Sequence, residues 1–192
     1  MVIFLPIRWR LEWLRQCPYV VCCDGAANTY IRSGRMPEAI VGDGDSLLPD
    51  IKERYASLIH SEAEQETNDL SKAFRFCLSQ ERKRITIMGA TGKREDHTIG
   101  NVSLLADYME QAEVSMMTDY GIFVPIREDS MFESYIGQQI SVFNMNSTAL
   151  SAEGLAYPLS VFTNWWQGTL NEALARHFII RTEGKVLVFR VF

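Results

Sequence analysis

At 192 residues, with 47% hydrophobic side chains, the chain is long enough for one large domain or two small ones and can bury a core without disulfide staples. Nineteen basic against twenty-four acidic residues give a net charge of −5 with no basic block, which argues against nucleic acid or another long polyanion as partner. The four cysteines, Cys17, Cys22, Cys23 and Cys77, form no Cys-x-x-Cys pair, so free thiols and a cytoplasmic location are expected.

The opening Met1–Leu5 is apolar, but Pro6 ends the run and Arg8 and Arg10 follow it. It is too short to span a membrane or to form a signal core and reads as a first strand. Tyr19–Cys23 reads as the next strand and runs into an acidic turn, Cys23-Asp24-Gly25-Ala26-Ala27-Asn28. A third strand, Ala39–Val41, leads into Gly42-Asp43-Gly44-Asp45-Ser46. Asp43 and Asp45 are two apart, so an extended backbone points both carboxylates the same way, and like charges about 4 Å apart repel by about 4 kcal/mol at an effective dielectric near 20. A cation relieves that repulsion. Mg²⁺ fits, because it takes a few carboxylates and completes its shell with water and substrate phosphates, while Gly44 permits close approach. An aspartate-rich surface turn uses the same residue types for their turn geometry alone.

Leu70, Ala73, Phe74, Cys77 and Leu78 follow the spacing of a helix face, and Ile99, Val102, Leu105 and Met109 nearly do. Asp69 and Asp96 stand in the first turns of these helices, where a carboxylate meets free N–H groups, so helix capping alone is a sufficient role for either. Between the helices, strand Arg84–Met88 leads into Gly89-Ala90-Thr91-Gly92-Lys93-Arg94-Glu95-Asp96-His97, a turn that offers backbone donors and cations to phosphate. It is not a P-loop, since Gly89 and Gly92 enclose two residues rather than four, and the Gly42-Asp43-Gly44 turn lacks the third glycine of a dinucleotide fingerprint. With Glu113–Thr118 as a further strand, the alternation up to about residue 120 predicts a Rossmann-like parallel sheet covered by helices, whose carboxyl-end turns line a ligand crevice.

After Tyr120 no helix-length apolar period survives. Strands are expected at Ile122–Ile126, Gln139–Asn144, Leu155–Leu159, His177–Arg181 and Lys185–Phe192, forming a smaller all-β sandwich or barrel. The chain therefore divides into an α/β domain over residues 1–122 and a β domain over 123–192, with the change of texture between residues 120 and 130. His60, His97 and His177 read as structural hydrogen-bonding residues, Lys93 as a solvated charge, and Lys72 as a surface residue or a phosphate contact. Trp165 and Trp166 suit either core packing or the face of a cationic ring.

Taken in order and spacing, CDGAAN, GDGDS, NDLSKA, GATGKREDHTIGN and the later GLAYPL with Thr163-Asn164 resemble the thiamine pyrophosphokinase family from about Pro18 onward. The resemblance implies an ATP- and Mg²⁺-dependent transfer of a pyrophosphoryl group to thiamine, giving thiamine diphosphate and AMP. It implies Asp43, Asp45 and Asp69 as Mg²⁺ ligands, Asp24 and Asn68 near nucleotide or metal, Arg94 on phosphate with Asp96 orienting the site, and Tyr157, Thr163 and Asn164 on thiamine. It also implies a homodimer whose thiamine pocket draws on both subunits. Asn68 stands where the family usually carries threonine, and the Asn-Gly loop usual after the first strand is not evident in residues 1–10. The alternatives are a pyrophosphokinase for another hydroxymethyl heterocycle such as a pterin, and a non-catalytic nucleotide- or thiamine-binding module.

Overall fold

The computed structural model describes residues 14, 16–62, 64 and 66–192, so the expected strand over Met1–Leu5 lies outside the described residues. The chain forms two compact units, Met1–Asn101 and Val102–Phe192. That division falls earlier than the change of sequence texture near residue 120.

In the first unit, β1 (Val21–Cys23), β2 (Ala39–Gly42) and β3 (Ile59–Ser61) form a parallel sheet in that order, with Cys23 opposite Val41 and Ile40 opposite Ile59. Every residue of β1 and β2 is buried, so these strands read as continuous apolar runs, whereas β3 is a short, half-polar edge that leaves no such signature. Helix α1 (Ala26–Arg32) and helix α2 (Pro49–Arg54) follow the first two strands. Helix α3 (Asp69–Ser79) starts where the Asn68 side chain accepts the Ser71 N–H at 2.9 Å, and it buries Leu70, Ala73, Phe74 and Cys77 as the spacing predicts. Ala73 and Cys77 pack with Val21, Cys23, Ala39 and Val41 to form the core of this unit. His60 packs its ring on Phe76, with centroids 4.5 Å apart. Strand β4 (Arg84–Met88) then delivers the glycine-rich turn to helix α4 (Glu95–Ser103).

Burial pushes the thiols of Cys22 and Cys23 up to about 12 and raises Cys77 as well, which keeps all three protonated and unreactive at neutral pH. Cys17 alone of the four is partly exposed. A thiol-specific disulfide reagent is therefore expected to label Cys17 in the native protein and the remaining cysteines only after unfolding. Fast labelling of a second thiol in the folded protein would contradict this.

The helical stripe expected from Ile99 to Met109 is interrupted: α4 ends at Ser103, α5 (Leu105–Tyr108) follows, and burial begins at Val102 while Ile99 is exposed. Strand β5 (Glu113–Met117) turns straight back into β6 (Gly121–Ile126) and pairs with it antiparallel, Met116 lying opposite Phe123. The cause is local. Thr118 closes a tight hairpin, its N–H donating to the Gly121 carbonyl at 2.8 Å and its hydroxyl oxygen accepting the N–H groups of Tyr120 and Gly121.

Beyond the hairpin come β7 (Ser130–Glu133), β8 (Gln139–Asn144), β9 (Leu150–Glu153), β10 (Asn171–Glu172), β11 (His177–Thr182) and β12 (Val186–Val191). They form two antiparallel layers, one with the order β10-β8-β12-β6-β5 and one with the order β7-β11-β9. Phe178 and Phe132 stack at 5.1 Å between them, with Ile140, Val142, Ile180 and Val188 fully enclosed, so this unit is a sandwich. The expected strand at Leu155–Leu159 is not formed. The strand lies earlier, at Leu150–Glu153, and ends at Gly154 with φ +80°, after which Leu155 makes only a single bridge to Ala173 and Pro158 offers no N–H to a ladder.

Candidate active site

The carboxyl ends of β1 and β2 lie side by side, and the backbone there brings two acidic turns into register. The Asp24 N–H donates to the Val41 carbonyl at 2.9 Å, and Asp24 itself adopts φ +22°. A Cβ on Gly42, whose φ is +154°, would stand 2.7 Å from the Asp24 Cβ, so this position requires glycine. Gly44, at φ +76°, reverses the chain between Asp43 and Asp45, and the Asp43 carboxylate accepts the Asp45 N–H at 3.2 Å. As a result one carboxylate oxygen from each of Asp24, Asp43 and Asp45 lies within 4.8 Å of the others.

Asp24 is 3% exposed, its Oδ2 accepts the Ser46 N–H at 3.1 Å, and its Oδ1 is buried with no partner. An unpaired buried carboxylate oxygen beside two more carboxylates is costly unless a proton or a cation meets it. Burial raises the Asp24 pKa, and the neighbouring carboxylates of Asp45, Asp69 and Asp43 push it the same way. Asp45 moves oppositely, held down first by the Ser46 hydroxyl, which donates to it at 3.0 Å, and then by Asp24 and Asp43. Three hard oxygen donors and an orphaned lone pair suit Mg²⁺ in type and number.

Asp69 stands apart from this trio. It lines, with Asp24, a cavity of about 560 Å³ that the turn after β4 and the start of α4 also line, through Thr91, Lys93, Arg94 and His97. Acid and cation thus share one concave space. Lys72 is buried behind Asp69, 3% exposed with Nζ 3.5 Å from Asp69 Oδ1, which corrects the surface role that its residue type allows. Arg94 lines the cavity and is gripped by Asp96, Nε to Oδ1 at 3.1 Å and Nη2 to Oδ2 at 2.6 Å. This guanidinium, followed by the His97 N–H, holds the Asp96 carboxyl below the usual range.

Asn68 does more than cap α3, because its Nδ2 donates to Asn101 Oδ1 at 3.2 Å while Asn101 Nδ2 donates to the Ala90 carbonyl at 2.9 Å. That relay joins the start of α3 to the glycine-rich turn. Asn28, Ser46, Lys52 and Asn101 also belong to the site, although no role is expected of them from the sequence; Asn28, Ser46 and Asn101 close the CDGAAN, GDGDS and GATGKREDHTIGN motifs.

In the second unit Tyr157, Thr163, Asn164, Trp165 and Trp166 lie on one long segment between β9 and β10, all exposed, Tyr157 at 64% and Trp166 at 74%. Buried Asn171 secures Tyr157 through both backbone groups, accepting its N–H at 3.0 Å and donating to its carbonyl at 2.8 Å. The Gln167 side chain accepts the N–H groups of Thr163 and Asn164, and Trp165 packs edge-on against Phe143 at 5.9 Å. The two groups of expected site residues therefore lie in separate units, Asp24 through Asp96 in the first and Tyr157 through Asn164 in the second.

Comparison with known proteins gives one family. The model for the thiamin pyrophosphokinase catalytic domain matches residues 11–117, and the model for the thiamin pyrophosphokinase substrate-binding domain matches residues 121–189. Thiamine pyrophosphokinase 1 of Oryza sativa subsp. japonica is 30% identical over 146 residues, 63% of this chain and 53% of that protein. Thiamine pyrophosphokinase of Bacillus subtilis is 34% identical over 86 residues, 43% of this chain and 40% of that protein. The chain thus spans about half the length of the first of these relatives and less of the second. In fold it is similar to thiamin pyrophosphokinase from Candida albicans, with TM-score 0.80 at 20% identity over 98% of this chain and 86% of that one. The Bacillus subtilis structure gives 0.78 at 21% over 90% and 87%.

Proposed function

The chain belongs to the thiamin pyrophosphokinase family, and from that membership we propose that it transfers the pyrophosphoryl group of ATP to the hydroxyl of thiamine, releasing AMP. The observation that carries the reading is one cavity lined by the buried Asp24 and the half-buried Asp69 together with Lys93 and Arg94 of the glycine-rich turn. A triphosphate needs both kinds of group: cations and N–H groups for its oxygens, and carboxylates to hold the divalent ion that travels with it.

Asp43, Asp45 and Asp24 are the proposed holders of Mg²⁺, with Asp69 facing the same space from the start of α3. When bound, the ion supplies charge neutralisation for the phosphates. The remaining work falls to the chain. Asp96 fixes the Arg94 fork through Nε and Nη2, leaving Nη1 to meet a phosphate oxygen. Phosphoryl-type transfer is mostly positioning and electrostatics, so an in-line attack by the thiamine hydroxyl needs no covalent enzyme intermediate and no strong base. Thiamine is proposed to meet Tyr157, Thr163 and Asn164 of a second copy of the chain in a homodimer, with an exposed tryptophan available to its cationic ring. Among the described residues no helix is long and apolar enough to cross a membrane.

Incubation of the pure protein with ATP, Mg²⁺ and thiamine tests the reading. Thiamine diphosphate and AMP in equal amounts are expected; ADP in place of AMP, or turnover with a pterin alcohol but not with thiamine, would overturn it. Tyr157→Ala is expected to raise the thiamine KM about tenfold, or about 1.4 kcal/mol, with a smaller change in kcat. Steady-state kinetics at saturating MgATP checks this, and an unchanged KM removes Tyr157 from the thiamine site.

A further inference from the structure

We propose that Asn28 is the positioning residue that holds the Asp43–Asp45 loop at ligand distance from Asp24, an inference that rests on reading those carboxylates as a divalent-cation site. Asn28 lies one helical turn beyond Asp24, in the first turn of α1, so its backbone moves with the buried ligand. Its side chain reaches across to the other acidic turn. Nδ2 donates to the Ser46 carbonyl at 2.8 Å, and Oδ1 accepts the Leu48 N–H at 3.0 Å. One planar amide bonded at both ends fixes both the distance and the orientation of the segment it grips, much as a neighbouring strand would.

What it grips is Ser46, and Ser46 is the residue that meets both carboxylates. Its N–H donates to Asp24 Oδ2 at 3.1 Å and its hydroxyl to Asp45 Oδ1 at 3.0 Å. A Cβ on Gly25 would stand 3.0 Å from the Ser46 Cβ, so the helix start and the loop meet without spare room. On the far side Lys52 Nζ donates to the Gly44 carbonyl at 2.9 Å. The loop is therefore pinned at Gly44 and at Ser46–Leu48, and without the second pin the mutual repulsion of Asp24, Asp43 and Asp45 opens the cluster. Partners that orient ligating carboxylates typically carry about 10–100-fold in metal affinity. Asparagine is required because aspartate has no donor for the Ser46 carbonyl and alanine offers neither bond.

The test is Mn²⁺ binding to the nucleotide-free full chain, read from the loss of the free-ion paramagnetic resonance signal, with amide hydrogen exchange at Leu48 read alongside. Asn28→Ala is expected to weaken Mn²⁺ binding at least about tenfold and to speed exchange at Leu48. Asn28→Asp should not restore the affinity, although it adds a negative charge beside the cluster. Tighter or unchanged binding in Asn28→Asp means the position acts through charge and overturns the proposal, as does unchanged affinity in Asn28→Ala. Asn28→Ser serves as the second variant if alanine fails to fold. Should the parent protein bind no Mn²⁺, the cation reading falls, and the Leu48 exchange rate still decides whether Asn28 holds the loop.

Discussion

Asp45→Asn is expected to lower pyrophosphoryl transfer on the order of a thousandfold at saturating substrates while leaving the metal-free fold intact. Asp45 is exposed, packs in no core, and accepts a hydrogen bond from the Ser46 hydroxyl that an amide oxygen also accepts. Its removal relieves repulsion within the Asp24, Asp43 and Asp45 group, so the metal-free melting temperature should stay level or rise. Metal dependence separates the two effects. At a free Mg²⁺ concentration a hundred times the dissociation constant, binding stabilises the parent protein by about 2.7 kcal/mol, or about 5–10 °C for a chain of this size. Thermal scans with and without Mg²⁺ should show that rise in the parent and little of it in Asp45→Asn. Full activity in the variant would mean that Asp45 holds no cation.

Gly168→Ala is expected to destabilise the protein by about 3 kcal/mol, at the upper end for overpacking, and to lower the melting temperature of the whole chain by about 6–12 °C. Gly168 ends the short 3-10 turn Trp165–Gly168, and an added Cβ would be driven into the Val142 carbonyl of β8 and to 3.1 Å from Phe162 Cδ2. The carbonyl belongs to a central strand and cannot yield. The turn itself must lift, carrying Asn164, Trp165 and Trp166 with it, so thiamine affinity should fall in the same variant. Gly100→Ala is the matched control, since nothing lies within 4 Å of its added Cβ in helix α4, and it should be neutral or stabilising by about 0.5–1 kcal/mol. Equal melting temperatures for the two variants would remove the claim that the turn is seated directly on β8.

How far the sequence could be read follows from which signals are local. Val21–Cys23 and Ala39–Gly42 are buried on both faces and spell that out as unbroken apolar runs, while Leu70 to Cys77 announces α3 by its spacing. Strands β3 and β7 escape because each is short and half-exposed, and Leu155–Leu159 misleads because an apolar run can cross a loop once Gly154 and Pro158 have ended the pairing. The antiparallel pairing of β6 with β5 is set by a hairpin closed through the Thr118 hydroxyl, which apolar runs do not encode. The acidic turns were legible as chemistry, because Asp-Gly-Asp is costly without a cation. That Asp24 rather than Asp69 joins Asp43 and Asp45 in the tightest carboxylate group is a matter of strand register, Cys23 against Val41. The reach of Asn28 to Ser46 and Leu48, across 18 and 20 residues, leaves no periodic trace at all.

Crystals of the protein grown with Mn²⁺ and a non-hydrolysable ATP analogue allow the cation to be located by its anomalous scattering. The account predicts a peak bonded to carboxylate oxygens of Asp24, Asp43 and Asp45 and to the analogue's phosphates, with Arg94 on a phosphate oxygen. A triphosphate seated elsewhere, or a manganese ion that leaves those three carboxylates unbound, would contradict it.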